Sequence, residues 1–190
     1  EPIIDEVIKD LENNSLKRIY ETADKPDLKN QFPPVPLWNL IDINNYSTML
    51  VQHSRGCPFN CEFCDIIVMY GRKMRVKKPN VFIRELQALY DAGWRSSVFI
   101  VDDNFIGNKE QTKLSLIEII KWQKEHKYPF TLLTEASVNL GADEELMNLM
   151  SEANFNKVFI GIESPNSESI IECGKLQNKH FDIKNSINAI

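Results

Sequence analysis

The stretch Ser54-Arg55-Gly56-Cys57-Pro58-Phe59-Asn60-Cys61-Glu62-Phe63-Cys64 contains three of the four cysteines in this 190-residue chain. A cubane iron–sulfur cluster has four irons and is normally held by four thiolates. Three thiolates in one short loop hold three of those irons and leave the fourth open to a small molecule. No other cysteine is near in sequence, because Cys173 lies far downstream. The spacing therefore predicts a cluster that takes part in chemistry.

The sequence leaves two other uses of these thiols open. A structural zinc site needs four nitrogen or sulfur donors, and His53 would complete a Cys₃His set in a zinc-stabilised binding module. Cys173 would instead supply a fourth thiolate in an iron–sulfur electron-transfer domain. Free thiols and an oxygen-sensitive cluster both need a reducing compartment, so the expected location is the cytoplasm.

Composition narrows the class of protein. The chain is 43% hydrophobic and 26% charged, as expected of one ordinary globular domain. A net charge of −5 argues against nucleic acid as a partner. No apolar run approaches the ~20 residues that a membrane helix needs, so no membrane segment is expected. The one basic stretch, residues 72–78, is expected to be a solvated face.

The N-terminal quarter has a different pattern from the rest of the chain. Ile4, Val7, Ile8 and Leu11 have the spacing of an amphipathic helix. Residues 25–36 contain four prolines and predict an extended linker. We therefore expect residues 1–45 to be the tail of a preceding domain plus a linker, and residues 46–190 to form a separate core.

Strand and helix patterns alternate through that core. The predicted strands are residues 48–52, 97–101, 130–134 and 157–162. The run at 97–101 is apolar throughout, which is typical of a strand covered on both faces. The predicted helices are residues 79–93, 108–126, 146–153 and 165–171. In the second of these helices, the side chains expected to face inward are Leu114, Leu116, Ile117 and Ile120. This alternation predicts an α/β fold with a parallel sheet, and four such units do not close an eight-unit barrel.

Each predicted strand is followed by polar residues. Parallel sheets bind ligands at the carboxyl ends of their strands, and buried carboxylates there are costly unless they meet a partner. We therefore expect one polar ligand to be shared by the cysteine stretch and three further groups of residues, which are Asp102-Asp103-Asn104, Thr134-Glu135-Ala136-Ser137 and Glu163-Ser164.

The Cys57-x-x-x-Cys61-x-x-Cys64 motif, with Phe63 before the last cysteine, resembles the signature of the radical S-adenosylmethionine superfamily. The resemblance implies that the three cysteines hold a 4Fe-4S cluster whose free iron binds S-adenosylmethionine. It also implies reductive cleavage of that cofactor to a 5′-deoxyadenosyl radical, which abstracts hydrogen from a substrate. The implied fold is a partial parallel (β/α) barrel, of which this chain would be a part that is incomplete at the C-terminus.

The resemblance assigns further residues to S-adenosylmethionine. Asp102, Asp103 and Asn104 stand where the superfamily has a Gly-Gly-Glu pattern that accepts hydrogen bonds from the methionine amino group. This sequence departs from that pattern, so any of the three is a candidate. Glu135 and Ser137 are implied to contact the ribose or the amino-acid end. Glu163 is implied to lie near the nucleoside, and Phe63 near the adenine or the cluster.

Two longer phrases are similar to one subgroup of the superfamily. They are residues 97–108, SVFIVDDNFIGN, and residues 159–164, FIGIES. In that subgroup, which includes hopanoid methylases, a cobalamin-binding domain precedes the radical domain. The resemblance implies methylation of an unactivated carbon of a small-molecule substrate. It also implies cobalamin bound outside this chain and an electron donor such as a flavodoxin or a ferredoxin.

Overall fold

The computed structural model describes residues 3–21, 25–28, 33–179 and 181–190. Its centre is a parallel sheet in which each strand pairs with the next sheet strand along the chain. The strands of this sheet are β1 (Thr48–Val51), β4 (Ser97–Ile100), β5 (Thr131–Ala136) and β6 (Phe155–Ile160). A separate antiparallel ribbon pairs β2 (Ser54–Arg55) with β3 (Arg75–Val76). The predicted α/β architecture with a parallel sheet is confirmed.

Helices connect and follow the strands. The α-helices are α1 (Ile4–Glu12), α2 (Ile66–Met69), α3 (Pro79–Asp91), α4 (Lys109–Glu125), α5 (Glu144–Glu152), α6 (Ser167–Glu172), α7 (Leu176–Lys179) and α8 (Ile183–Ala189). Within the described ranges, 3₁₀ helices lie at Trp38–Leu40, Ile43–Asn45 and Val138–Ala142. The sequence signals for the long helices are visible in the structure. Pro79 opens α3, and the Asn108 side chain caps α4 by accepting from the Gln111 N–H.

The two faces of the sheet are not equally covered. In β1, β4 and β5 every second residue is buried against α3, α4 and α5, and in β6 the corresponding residues are partly buried. The buried residues include Met49, Val51, Val98, Ile100 and Leu132. The alternate residues face the other side, where Leu50 is 54% exposed and Phe159 is 70% exposed. Within residues 97–101, Val98 and Ile100 are buried and Phe99 and Val101 are half-buried, so the expected cover is complete on one face of this strand and partial on the other. The less covered face is the one that carries Glu135, which pairs in register with Phe159.

The inward face of α4 also differs from the apolar prediction. Leu116 and Ile120 are buried as expected, but Leu114 and Ile117 are about half exposed. Polar side chains take part of the inward stripe instead, because each finds a hydrogen-bond partner in the interior. These buried polar residues of α4 are Thr112, Ser115 and Gln123.

The short ribbon was not predicted, and it explains the basic stretch. Arg75 is buried and donates to the carbonyls of Pro26 and Tyr70. Lys77 is also buried, in an ion pair with Glu85 of α3. The expectation of a solvated face for residues 72–78 is wrong for these two side chains, because the ribbon turns them into the protein.

The N-terminal segment fits the predicted pattern where it is described. Helix α1 is present, and none of its side chains is buried. Residues 25–28 and 33–36 contain no helix or strand, as expected of a linker, and residues 29–32 between them lie outside the described residues. The division into two parts at residue 45 remains a prediction.

Candidate functional site

One cleft contains nine of the ten residues that the sequence assigned to cofactors. It lies at the carboxyl ends of the parallel strands, has a volume of about 170 Å³, and opens to solvent. Its lining includes Cys57, Cys61, Phe63, Cys64, Asp103, Asn104, Glu135, Ser137 and Glu163. A larger cavity of about 470 Å³ lies between α6 and α8, but none of the ten predicted residues lines it. The candidate site is therefore the smaller cleft.

The ribbon positions the cysteine loop, residues 56–64, at one wall of this cleft. Gly56 follows β2 with φ of +97°, a conformation that favours glycine. A Cβ at this position would lie 2.8 Å from the Gly71 carbonyl oxygen. The next residue, Cys57, donates its N–H to that same oxygen at 3.3 Å. On the other side of the loop, Arg72 donates to the Pro58 carbonyl at 3.1 Å.

The three thiols are only partly open to solvent. Cys61 is buried, and Cys57 and Cys64 are half-buried. Burial raises the pKa of the Cys57 thiol above its ordinary value, and the neighbouring Cys61 and Cys64 sulfurs raise it further. A hydrogen bond to the Asn104 side chain acts in the opposite direction. The Cys57 thiol therefore holds its proton more tightly than an ordinary cysteine, and a metal that binds its sulfur must displace that proton.

Acidic and amide side chains face these sulfurs from the strand ends. Burial is the largest cause of the raised pKa values of Asp103 and Glu135, and the charge on Asp103 adds to the effect on Glu135. The Asn104 amide donates to the Ser137 hydroxyl at 3.2 Å. Two carboxylates held in a partly dry cleft attract a cationic group, because a positive charge nearby stabilises their ionised form.

Asp102 is the one predicted cofactor residue that does not line the cleft. Its side chain is 1% exposed and faces the interior. It accepts from the backbone N–H groups of His53 at 2.7 Å and Ser54 at 2.9 Å, and from the Ser54 hydroxyl at 2.6 Å. The His53 ring contacts the same carboxylate at 3.2 Å and the Ser115 hydroxyl at 2.8 Å. Asp102 therefore fixes the turn that leads into the cysteine loop, and its neighbour Asp103 enters the site.

The far wall contains residues that the sequence did not single out. Lys175 is buried and forms an ion pair with Glu163, and its Nζ lies 5.8 Å from the centre of the Phe63 ring. Glu163 has φ of +65°, a strained conformation of the kind often found at functional sites. Gly161 lets both side chains approach, since a Cβ there would lie 2.5 Å from the Lys175 Nζ. Gln177, Phe59, Ala136 and Phe159 complete the lining.

No pattern in the sequence marks Lys175 or Gln177. Lys175 follows α6 and Gln177 lies in the short helix α7, in a segment that neither the apolar spacing nor a motif singles out. Their place in the cleft depends on a chain reversal that brings this segment back to the cysteine loop.

The two alternative uses of the thiols find little support in the geometry. Both ring nitrogens of His53 already have partners, so His53 can join a zinc site only by leaving a buried hydrogen-bond network. The Cys173 sulfur contacts the Ile170 carbonyl oxygen at 3.5 Å and is not part of the cleft lining.

The residues present suit an iron–sulfur cluster. Sulfur donors are the preferred ligands of such clusters, and three of them share one wall of the cleft. Each thiolate binds a different iron, so the sulfurs need not converge on a single point. Among the described residues, no group of three metal-binding side chains is placed to hold a single ion. The cleft exceeds the ~30 Å³ share of one water several-fold, so it admits a larger group.

Comparison with known proteins identifies the family. The model of the radical SAM superfamily matches residues 51–190, which is most of the chain. The chain therefore belongs to the radical SAM superfamily. Membership agrees with the geometry, because the matched region contains the cysteine loop and every strand end that lines the cleft.

Two curated proteins of similar sequence are named as a methyltransferase and a methylase. The chain is 50% identical over 183 residues to an uncharacterized methyltransferase of Synechocystis sp., covering 96% of this chain and 34% of that protein. It is 36% identical over 172 residues to the hopanoid C-2 methylase of Rhodopseudomonas palustris, covering 90% of this chain and 32% of that enzyme. The chain thus spans about a third of the length of these curated relatives.

A solved structure supports the fold. The chain superposes on OxsB, a cobalamin-dependent S-adenosylmethionine radical enzyme, with a TM-score of 0.70 at 16% identity. The superposition covers 96% of this chain and 29% of OxsB. The fold is therefore the partial α/β barrel of the radical SAM type. No helix in the described ranges is long and apolar enough to cross a membrane.

Proposed function

We propose that this chain is the catalytic core of a radical S-adenosylmethionine methyltransferase. The observation that carries the proposal is the shared cleft, in which three thiols of one loop face the polar residues of three strand ends. A structural metal site has no need of this polar wall. An enzyme that holds a cluster and a charged cofactor side by side needs both.

Cys57, Cys61 and Cys64 would hold the 4Fe-4S cluster. When bound, the cluster supplies the electron that cleaves S-adenosylmethionine to a 5′-deoxyadenosyl radical, which then abstracts hydrogen from the substrate. The ribbon and the bond from the Cys57 N–H to Gly71 fix the backbone that presents the thiols. The low exposure of Cys61 limits the access of water to the sulfur on that side.

The polar wall would bind S-adenosylmethionine. Asp103 and Glu135 offer carboxylates to its amino group, and the raised pKa values of both would fall when a cation binds beside them. Asn104 and Ser137 offer hydrogen bonds to hydroxyl or carboxylate oxygens. Phe63 is 57% exposed at the rim and offers an aromatic face to the adenine.

Further parts of the proposed enzyme lie outside this chain. We infer from the names of its relatives that the complete protein methylates an unactivated carbon of a small molecule with the help of cobalamin. Cobalamin would bind in a domain joined through residues 1–45, and the lack of any buried side chain on α1 is compatible with that connection. A flavodoxin or ferredoxin would supply the electron.

The proposal is tested by anaerobic reconstitution of the chain with iron and sulfide. We expect about four irons and four sulfides per chain, and a reduced-cluster electron paramagnetic resonance signal that changes when S-adenosylmethionine is added. Incubation with dithionite should yield methionine and 5′-deoxyadenosine. One tightly held zinc without labile sulfide would contradict the proposal.

A pair of cysteine variants provides the control. Cys57→Ala should lose the cluster, because it removes one of the three thiolates in the cleft. Cys173→Ala should keep it, because the Cys173 sulfur does not line the cleft. Loss of the cluster in Cys173→Ala would instead favour a four-thiolate electron-transfer domain.

A further inference from the structure

A short segment after α6 packs directly on the cysteine loop. This segment, residues 173–177, is called the docking segment below. The Cys173 carbonyl accepts from the Glu62 N–H at 2.9 Å. Gly174 lies so close to the loop that a Cβ there would be 2.9 Å from the Asn60 carbonyl oxygen. The contact is therefore one of backbone against backbone, and it places the side chains that follow at the edge of the cluster site.

Gln177, the last residue of the docking segment, reaches one of the thiols. Its side-chain amide donates to the Cys61 sulfur at 3.4 Å. Cys61 is 9% exposed, so the bond forms at a sulfur with little access to water. Lys175 anchors the same segment from the other side through its ion pair with Glu163. The amide of Gln177 is thus held in place and is not a loosely tethered surface group.

We propose that Gln177 is a positioning residue that raises the reduction potential of the cluster. The inference rests on the proposed function, since it requires a cluster on Cys61. A reduced cluster carries one more electron than an oxidised one, and part of that charge resides on its cysteine sulfurs. An N–H donor aimed at a sulfur therefore stabilises the reduced state more than the oxidised state. Because the amide is neutral, its effect persists across the pH range in which the protein is folded.

The test is a redox titration of the reconstituted chain, followed by the electron paramagnetic resonance signal of the reduced cluster. Gln177→Leu removes the donor at nearly constant size. We expect its equilibrium constant for reduction to fall about tenfold, which for a one-electron couple is about 59 mV. Gln177→Lys restores an N–H donor, and its midpoint should return to the wild-type value or exceed it. Gln111→Leu makes the same change on α4, away from the cleft, and should leave the midpoint unchanged.

The outcomes separate this inference from the proposed function. A Gln177→Leu chain with a full complement of iron and the wild-type midpoint would overturn the role of Gln177 and leave the cluster assignment intact. If Gln177→Leu fails to hold a cluster, a midpoint of Gln177→Lys below that of the wild type would also overturn the role of Gln177. A wild-type chain that takes up no iron and sulfide would overturn both proposals together.

Discussion

Asp102→Ala should be among the most destabilising single substitutions in the chain. The carboxylate accepts three hydrogen bonds from His53 and Ser54 at 2.6–2.9 Å and contacts the His53 ring, all in the interior. The Ser54 hydroxyl can turn to another partner, but the two backbone N–H groups cannot. A buried donor left without an acceptor costs about 1–3 kcal/mol, so two of them cost about 4 kcal/mol.

Asp102→Asn should be milder. The amide oxygen can still accept from both backbone N–H groups. The amide NH₂ can donate to the Ser54 hydroxyl and to the His53 ring nitrogen, because each of these groups can act as a donor or as an acceptor. We expect a loss of about 1–2 kcal/mol, which reflects the weaker bonds of a neutral acceptor. The predicted order of stability is therefore wild type, then asparagine, then alanine.

Urea denaturation of the metal-free chain, followed by far-ultraviolet circular dichroism and tryptophan fluorescence, measures these differences. With a slope of about 3 kcal/mol per molar urea, a loss of 4 kcal/mol lowers the midpoint by about 1.3 M. Coincident curves from the two signals would justify the two-state treatment. Asp103→Ala is the matched control, because the half-buried Asp103 carboxylate accepts one long hydrogen bond, from the Gly56 N–H at 3.4 Å. A loss below about 1 kcal/mol for Asp102→Ala, or an equal loss in the control, would refute the reasoning.

Two other predictions concern charge and backbone conformation. The raised pKa values of Asp103 and Glu135 mean that their contribution to stability is present below the ordinary carboxyl range and is lost as pH rises through the raised values. In the double variant Asp103→Asn/Glu135→Gln, the melting temperature should fall less with rising pH across that window than it does in the wild type. If the plots of melting temperature against pH for the two proteins run parallel, the prediction is contradicted. Gly56→Ala should cost more than Gly93→Ala, although both glycines have φ near +95°. A Cβ at Gly93 meets only a side-chain carbon at 3.9 Å, whereas one at Gly56 meets a carbonyl oxygen at 2.8 Å. Gly93→Ala is the control and should lower the free energy of unfolding by about 1 kcal/mol, and Gly56→Ala should lower it by clearly more. Equal melting temperatures of the two variants would exclude a role for the close contact.

The parallel sheet and the position of the cleft are predictable from the sequence, because both depend on patterns that are local. The apolar residues 97–100 are enough to predict a strand. The three closely spaced cysteines are enough to predict a cluster site. Parallel pairing then brings the strand ends to one edge without further information. Nine of the ten predicted site residues meet in the cleft for this reason.

The exceptions are residues whose roles depend on partners distant in sequence. Asp102 and Asp103 are chemically identical neighbours, and the backbone N–H groups and side chains of His53 and Ser54 hold Asp102 away from the site. Ser115 is buried on α4 because the His53 ring is there to bond it, which an apolar periodicity cannot reveal. Arg75 and Lys77 look like surface charges until the ribbon turns them inward.

The antiparallel pairing of Ser54–Arg55 with Arg75–Val76 would allow the proposed cluster to bind without refolding the rest of the protein. It closes the base of a lobe, residues 56–74, that contains all three thiols and contributes only Cys61 to the buried apolar side chains. Binding or loss of the proposed cluster would therefore leave the strands and long helices assembled. A preparation bleached by oxygen should keep its helical content and regain its brown colour on fresh reconstitution, with no refolding step in between.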